Sequence, residues 1–299
     1  MGCLANRINI ILVIKMKVSI ITPSLNSERY IAHNLKSVHL DQTGDFSIEH
    51  IIVDGNSSDK TVEIVENFKL EHGADIKIIQ GKDKNMYDAI NKGLKAMKGD
   101  IWACLNTDDL YYPGIINLVV NQFSKDPELD VVYGFPDMID ENGKFIHTLY
   151  LPKFNLEFLV LRGYCLTILQ PASFLHRKVL KKVGYFDINY RYASDYDYFI
   201  RTGSKCKMKL IETSFTQFRQ HSDSITCSQK TRDIQTEETL SISEKYQEQF
   251  GFKKRSLFMD NLRLYVKQIK PNNFNYTIQR ISELTSSKSW KCFLKQKIF

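Results

Sequence analysis

Two adjacent carboxylates are the most informative residues in the chain. Asp108 and Asp109 close the segment Leu105-Asn106-Thr107-Asp108-Asp109, directly after a wholly apolar run, Ile101-Trp102-Ala103-Cys104-Leu105. Like charges side by side repel unless a cation sits nearby. Hard oxygen ligands of this kind suit Mg2+ or Mn2+, which would also hold a diphosphate. The competing reading is a cap on a helix opening near Pro113. A second acidic loop, Asp54-Gly55-Asn56-Ser57-Ser58-Asp59, follows another apolar run. A carboxylate there can accept from a base N–H or a ribose hydroxyl, and Gly55 permits the tight turn. Between Gln80 and Gly93, the polar stretch holding Asp83 and Lys92 offers pocket-lining side chains, although the same pattern describes a solvated helix face. Ala193-Ser194-Asp195-Tyr196-Asp197 places two acids two residues apart. At a helix start they point in different directions, so that one serves as general base while the other caps. His221, taken alone, reads more readily as structural than catalytic.

These groups need elements to hold them. The β-branched run 17–22 ends at Pro23 and reads as a buried parallel strand. Further strands are predicted over 48–53, 75–80, 101–105 and 131–133. Helices are predicted over 27–38, from a Ser58–Thr61 cap through Phe68, over 86–97 and from Pro113 through Phe123. Strand, loop and helix alternate about every 30 residues, which argues for a mostly parallel central sheet with helices on both faces. In such sheets ligands bind beyond the carboxyl ends of the strands, where the polar clusters 22–26, 54–58 and 106–109 fall. The second half is less regular. It reads as a strand over 146–151, short helices over 156–161 and 179–183, a helix over 192–202 and a strand pair over 208–218.

Composition excludes several classes. The 299 residues are 43% hydrophobic and 25% charged, an ordinary globular balance. No run is apolar and long enough to span a bilayer. The run Ile8–Ile14 lacks a small-residue cleavage site, which argues against a signal peptide. Met16 offers a second start, so residues 1–15 read as a dispensable leader, with an extra edge strand as the alternative. Six scattered cysteines with no CxxC pair read as free thiols of a reducing compartment. Neither GxGxxG nor GxxxxGK[ST] occurs. The net charge of +7 is unevenly placed: residues 251–299 hold eleven Lys/Arg against two acids, whereas the first 250 sum to −2.

Six segments together resemble the family 2 glycosyltransferases, over roughly residues 18–226. They are Val18-Ser-Ile-Ile-Thr-Pro-Ser-Leu-Asn26, Ile52-Val-Asp54-Gly-Asn-Ser-Ser-Asp59-Lys-Thr61, Tyr87-Asp-Ala-Ile-Asn-Lys-Gly93, Leu105-Asn-Thr-Asp-Asp109, Gln170-Pro-Ala-Ser-Phe174 and Ser194-Asp195-Tyr-Asp197. The resemblance implies an α/β fold of GT-A type with a Rossmann-like nucleotide-binding half. It implies a catalytic domain over 16–230, divided into a nucleotide-sugar half (16–134) and an acceptor half (135–230). By the same resemblance Thr22, Pro23 and Asn26 line the nucleotide pocket, Asp54 holds the base or ribose, and Asp83 and Lys92 face the nucleotide-sugar. Asp108 and Asp109 match the family's Asp-x-Asp-type pair, with Asp109 toward the Mg2+ or Mn2+ and Asp108 nearer the ribose. Asn106 stands where such a motif would carry another acid, leaving the metal fewer carboxylates. Asp195 matches the catalytic base of inverting members, and His221 approaches the diphosphate or metal.

The expected partners are a nucleotide-sugar, most readily a UDP-sugar, and a glycan or lipid-linked acceptor. Residues 231–299 read as a basic, amphipathic helical extension. From Gln249 on, aromatic and aliphatic residues interleave with Lys/Arg, which suits docking on anionic lipid through 251–299. The setting that follows is cytoplasmic, peripheral to the inner face of the plasma membrane, and without nucleic acid as a partner. Two competing readings are a sugar-phosphate nucleotidyltransferase and a non-catalytic scaffold. The first is opposed by Thr22-Pro-Ser-Leu-Asn-Ser-Glu28, which has no glycine to cradle a triphosphate; the second is opposed by the intact acids.

Overall fold

The computed structural model describes residues 15–162, 167–221 and 229–252. The expected leader and the basic residues of the tail, from Lys253 on, lie outside them. The first half alternates as its patterning requires: β1 (Met16–Ser24), α1 (Ile31–His39), β2 (Phe46–Asp54), α2 (Thr61–His72), β3 (Ile76–Gln80), α3 (Met86–Ala96) and β4 (Ile101–Cys104). Then come β5 (Leu110–Tyr111), α4 (Ile115–Lys125), β6 (Val131–Ile139), β7 (Phe145–Thr148), α5 (Leu156–Arg162), a 3-10 turn (Gln170–Ala172), β8 (Ser173–His176), α6 (Lys178–Val183), α7 (Ser194–Gly203), β9 (Met208–Arg219) and α8 (Gln229–Phe250).

Among the described residues the strands join one nine-stranded sheet in the order β3-β2-β1-β4-β8-β6-β9-β5, with β7 on β6. β1 to β4 are mutually parallel, so their carboxyl ends open on the same edge. Beyond β4 the sheet is mixed: β8 runs antiparallel to β4 and β6, β9 runs parallel to β6, and β5 antiparallel to β9. Both expected halves therefore share one sheet, and β6 runs across the boundary at 134/135. The strand pair expected over 208–218 is a single strand, β9.

Side chains alternate across the sheet with the strand period of two. Ile21, Ile51 and Val53 face α3 through Tyr87, Ile90 and Leu94. Val18 and Ile20 face the opposite way, toward Val38 and the α4 residues Ile116 and Val119. Ile52 packs with Ile31, Leu35 and Val65 under α1 and α2. Gly93 is what lets α3 close on β1, because a Cβ there would stand 2.5 Å from Ile21 Cγ2.

The sequence assigns α8 to a separate basic extension. Instead this helix packs on the catalytic layers, with Ile242 and Tyr246 buried beside Leu159, Val160 and Tyr198. The boundary expected at 230 falls inside it, and residues 231–250 carry more acids than bases.

Two histidines lie close together here: His50 on β2 is fully buried, and His39, the last residue of α1, is half-buried. Thr22 Oγ1 meets His50 Nε2 at 2.8 Å, and the His39 and His50 rings lie 5.4 Å apart. His39 Nε2 and His50 Nδ1 have no hydrogen-bond partner among the described residues. Burial pushes His39 down to about 4 and His50 well below its ordinary value. A depressed histidine gives stability that is complete above the unfolded pKa and is lost as pH falls toward the folded one. Each such group should steepen the loss by up to about 1.4 kcal/mol per pH unit between about pH 6.5 and 4. His39→Phe, which removes one titrating ring and its unpaired nitrogen, should flatten urea stability against pH in that window. Superimposable profiles for variant and parent would refute it.

Candidate active site

The loops at the carboxyl ends of β1, β2 and β4 are stitched to one another. After β1, Asn26 takes a left-handed backbone (φ 47°), as does Asn56 after β2 (φ 67°). Such conformations cost energy outside glycine and persist only when neighbours hold them. Here Asn26 Oδ1 accepts from Ser58 N at 2.9 Å, and Ser57 Oγ accepts from Asn26 N at 2.8 Å. Asp54 is fully buried and accepts from Ser57 N and Ser57 Oγ, at 2.9 and 2.5 Å. Thr107 Oγ1 donates to Ser27 Oγ at 3.0 Å, tying the β4 loop to the β1 loop.

Asp83 lies close to the β2 turn, its Oδ2 3.5 Å from where a Cβ on Gly55 would sit. Lys92 pairs with it at 2.6 Å, and also with Asp88 at 3.5 Å. The hydrogen bond to Asp83 raises the Lys92 pKa. Lys92 thus neutralises a local acidic loop. Pro23 is half-buried at the end of β1, level with Val53.

Thr22 departs from its expected place. Its side chain is fully buried and turns away from the loops to His50, so any contact it makes with a nucleotide falls to its backbone.

The two adjacent acids separate. Asp109 is buried, accepting from Arg219 N at 3.0 Å and from Asn106 Nδ2 at 3.3 Å. Burial, and then the neighbouring Asp108 charge, raise its pKa well above the ordinary carboxylate range. Nor does it cap the following helix, whose N-cap is Gly114 without a side-chain bond. Asp108 keeps 21% of its side chain accessible and meets His221 Nε2 at 3.0 Å. The Asp109 oxygens are thus turned to Arg219 N and Asn106, and Asp108 is the more open of the two acids.

Arg219 went unnoticed in the sequence, as did Tyr30. The Arg219 guanidinium donates to the backbone oxygens of Asp108, Asp140 and Glu141, and lies 4.9 Å over the Tyr30 ring. Tyr30 in turn sits 5.2 Å from the His221 ring. The usable signal was Arg219-Gln220-His221 at the end of a strand, a basic residue and an imidazole on one terminus.

A divalent cation would fit at Asp108 and His221. Asp108 Oδ2 and His221 Nε2 are hydrogen-bonded to each other at 3.0 Å, so an ion held by both would take the place of the proton they share. His221 Nδ1 and Asn106 Oδ1 are also buried without partners among the described residues. Among the described residues no group of three or more His, Cys, Asp or Glu converges, so the remaining ligands would come from diphosphate and water.

Asp195 stands on another element, α7. It is the second residue of α7 and buried. Tyr87, at the start of α3, donates to its Oδ1 at 2.9 Å. Asn85, which caps α3, reaches Ile188 O at 2.9 Å, joining the donor-side loops to the segment before α7. Asp197 points elsewhere, into Arg201, Lys245 and Tyr246, as its two-residue offset from Asp195 predicts.

Replacing Thr22 by Val should cost about 1–3 kcal/mol in urea stability, by stranding the His50 nitrogen. UDP affinity should stay within about twofold. Unchanged stability with weakened UDP binding would return the hydroxyl to the pocket.

Comparison with known proteins agrees with this architecture. A glycosyltransferase of Rickettsia felis, itself uncharacterized, is 30% identical over 216 residues, covering 69% of this chain and 34% of that protein. A second, from Rickettsia typhi, is 34% identical over 188 residues, 60% of this chain and 56% of its own length. This chain therefore spans less than two thirds of these relatives. A PGL/p-HBAD biosynthesis glycosyltransferase of Mycobacterium tuberculosis is 29% identical over 206 residues, 67% of this chain and 77% of that one. Among solved structures, S. aureus TarS 1–349 in complex with UDP-GlcNAc aligns with TM-score 0.59 at 18% identity, over 74% of this chain and 65% of its own. The mannosyltransferase PcManGT of Pyrobaculum calidifontis, in complex with GDP-Man and Mn2+, aligns with TM-score 0.57 at 14% identity, over 95% and 79%. The sequence model of glycosyl transferase family 2 matches residues 19–184, more than half of the chain, and the chain belongs to that family.

Proposed function

We propose that this chain is an inverting hexosyltransferase that moves a sugar from a nucleotide-sugar, a UDP-sugar first among them, to a glycan or lipid-linked acceptor. The setting we infer is bacterial surface-polysaccharide biosynthesis, lipopolysaccharide included, at the cytoplasmic face of the membrane, with residues 251–299 docking on anionic lipid. Among the described residues no helix is long and apolar enough to cross a membrane. The mycobacterial relative's role in PGL/p-HBAD biosynthesis and the UDP-GlcNAc bound by TarS support the substrate classes.

What supports this reading is that two acids of the family motifs are held by different elements. Asp108, paired with His221, stands at the strand ends with Asp54 and Asp83. Asp195 stands on α7, held by Tyr87. One side suits a nucleoside diphosphate and the other an incoming hydroxyl. In this reading Asp54 accepts from the base or ribose, while the Asn26, Asn106 and Lys92 loops shape the nucleotide-sugar pocket. Asp108 and His221 would hold Mn2+ or Mg2+, with the imidazole favouring Mn2+. When bound, such an ion stabilises negative charge on the departing diphosphate. Asp195 takes the proton of the acceptor hydroxyl as its oxygen bonds to the anomeric carbon from the opposite face. The bond from that carbon to the diphosphate breaks, its electron pair leaves with the nucleoside diphosphate, and configuration inverts.

The test uses the full chain with Mn2+ and a panel of UDP-glucose, UDP-galactose, UDP-N-acetylglucosamine and GDP-mannose, with water as the surrogate acceptor. Asp195→Asn should lower nucleotide release by at least about a hundredfold, with the affinity for the free nucleoside diphosphate within about twofold. Retained turnover in the variant would remove the base assignment.

A further inference from the structure

The helix α8 lies beyond the segment matched by the family model, and it reaches back to the loop that carries Asp195. One carboxylate, Glu238, accepts three successive backbone N–H groups: Arg191 N at 2.6 Å, Tyr192 N at 2.8 Å and Ala193 N at 3.0 Å. These are the last residues before α7, whose N-cap Ala193 has no side chain to serve the orphan amides. Bonds from N–H groups to a carboxylate are stronger than neutral ones. A loop that would otherwise present three unpaired donors is therefore fixed by one distant side chain.

The same loop sets the partner of Asp195. The carbonyl of Tyr192 lies 3.2 Å from Tyr87 Oη and 3.4 Å from Gln235 Nε2 of α8. Tyr87 has one proton, and its nearer acceptor is Asp195 Oδ1 at 2.9 Å. Movement of residues 191–193 would thus shift both the start of α7 and the hydroxyl that orients its acid. The loops at β1, β2 and β4 hold their conformations through bonds among themselves and do not depend on this carboxylate.

We propose that Glu238 is a positioning residue for the acceptor side of the site: it fixes the 191–193 loop so that Asp195 stands where the acceptor hydroxyl arrives. This rests on Asp195 being the base. Displacement of a catalytic group by about 1 Å can cost about a hundredfold in rate. Glu238 is not what attaches α8, because Ser243 donates to Val160 O, Tyr246 donates to Asp197, and Ile242 is fully buried. Its replacement should therefore leave a folded chain.

The experiment compares wild type, Glu238→Ala, Glu238→Gln and Asp195→Asn as full chains. It reads nucleotide release from whichever sugar of the panel the wild type hydrolyses with Mn2+, alongside calorimetric binding of the free nucleoside diphosphate. Glu238→Ala should lower kcat by about 10- to 100-fold, with donor KM and nucleotide affinity within about twofold. Glu238→Gln keeps one acceptor oxygen and the side-chain shape, and should fall between. It also carries the test if the alanine variant does not fold. Wild-type kcat in the glutamine and alanine variants, beside an inactive Asp195→Asn, would overturn the role of Glu238 and leave the base standing. A fall in kcat matched by an equal loss of nucleotide affinity would mark general distortion and overturn it too. Full turnover in Asp195→Asn would remove the base and, with it, the positioning role of Glu238.

Discussion

The site depends on one buried carboxylate. Asp109 sits in the interior beside a like charge, a costly position that is tolerated because its oxygens are met by Arg219 N and Asn106 Nδ2. The bond from Arg219 N holds the turn after β4 to the end of β9, across 110 residues of chain. Two neighbours reinforce the joint: β5 pairs with β9 at Leu110–Gln217, and the Arg219 guanidinium holds the Asp108 carbonyl. His221 follows Arg219 by two residues. Once Arg219 is fixed against Asp109, the imidazole is delivered to the Asp108 side chain. An Asp-Asp pair that looks redundant in the sequence thus divides its work, one acid inside as a joint and one outside toward solvent.

The other side of the site is held by different means. Parallel strands fix the carboxyl ends of β1, β2 and β4, and hydrogen bonds among their loops support the left-handed turns at Asn26 and Asn56. Asp195 hangs from α7, oriented by Tyr87 of α3 and backed by Glu238 of α8. The two sides meet through the segment between Asn85 and Ile188. In a two-substrate enzyme such separate anchoring would let the acceptor side be adjusted without disturbing the donor side.

Much of this was legible in the sequence because it is local. Short β-branched and apolar runs marked β1 to β4, and helical spacing of apolar residues marked α1 and α2. The family motifs fell at the carboxyl ends of those strands. What escaped depends on long-range pairing. β5 has two residues, too few for any periodicity, and exists because β9 pairs with it. Adjacent residues at a strand end face opposite ways, and the one that turns inward is decided by Arg219, far along the chain. Thr22 looked like a pocket residue since nothing nearby announces His50, its partner across the next strand. The helix expected beyond 230 is α8, but its polar sequence hides the narrow buried edge of Ile242 and Tyr246 that packs it on the catalytic layers.

In the proposed mechanism, Asp108 and His221 form the edge on which a divalent cation and the diphosphate are held, with Asp109 serving as the joint behind them. The sharpest test is calorimetric titration of Mn2+ into the full chain saturated with UDP, wild type beside His221→Ala. One Mn2+ should bind per wild-type chain, with an affinity at least about tenfold weaker in the variant and both proteins melting cooperatively. Equal Mn2+ affinity in the two proteins, or no Mn2+ binding by the UDP-saturated wild type, would contradict it.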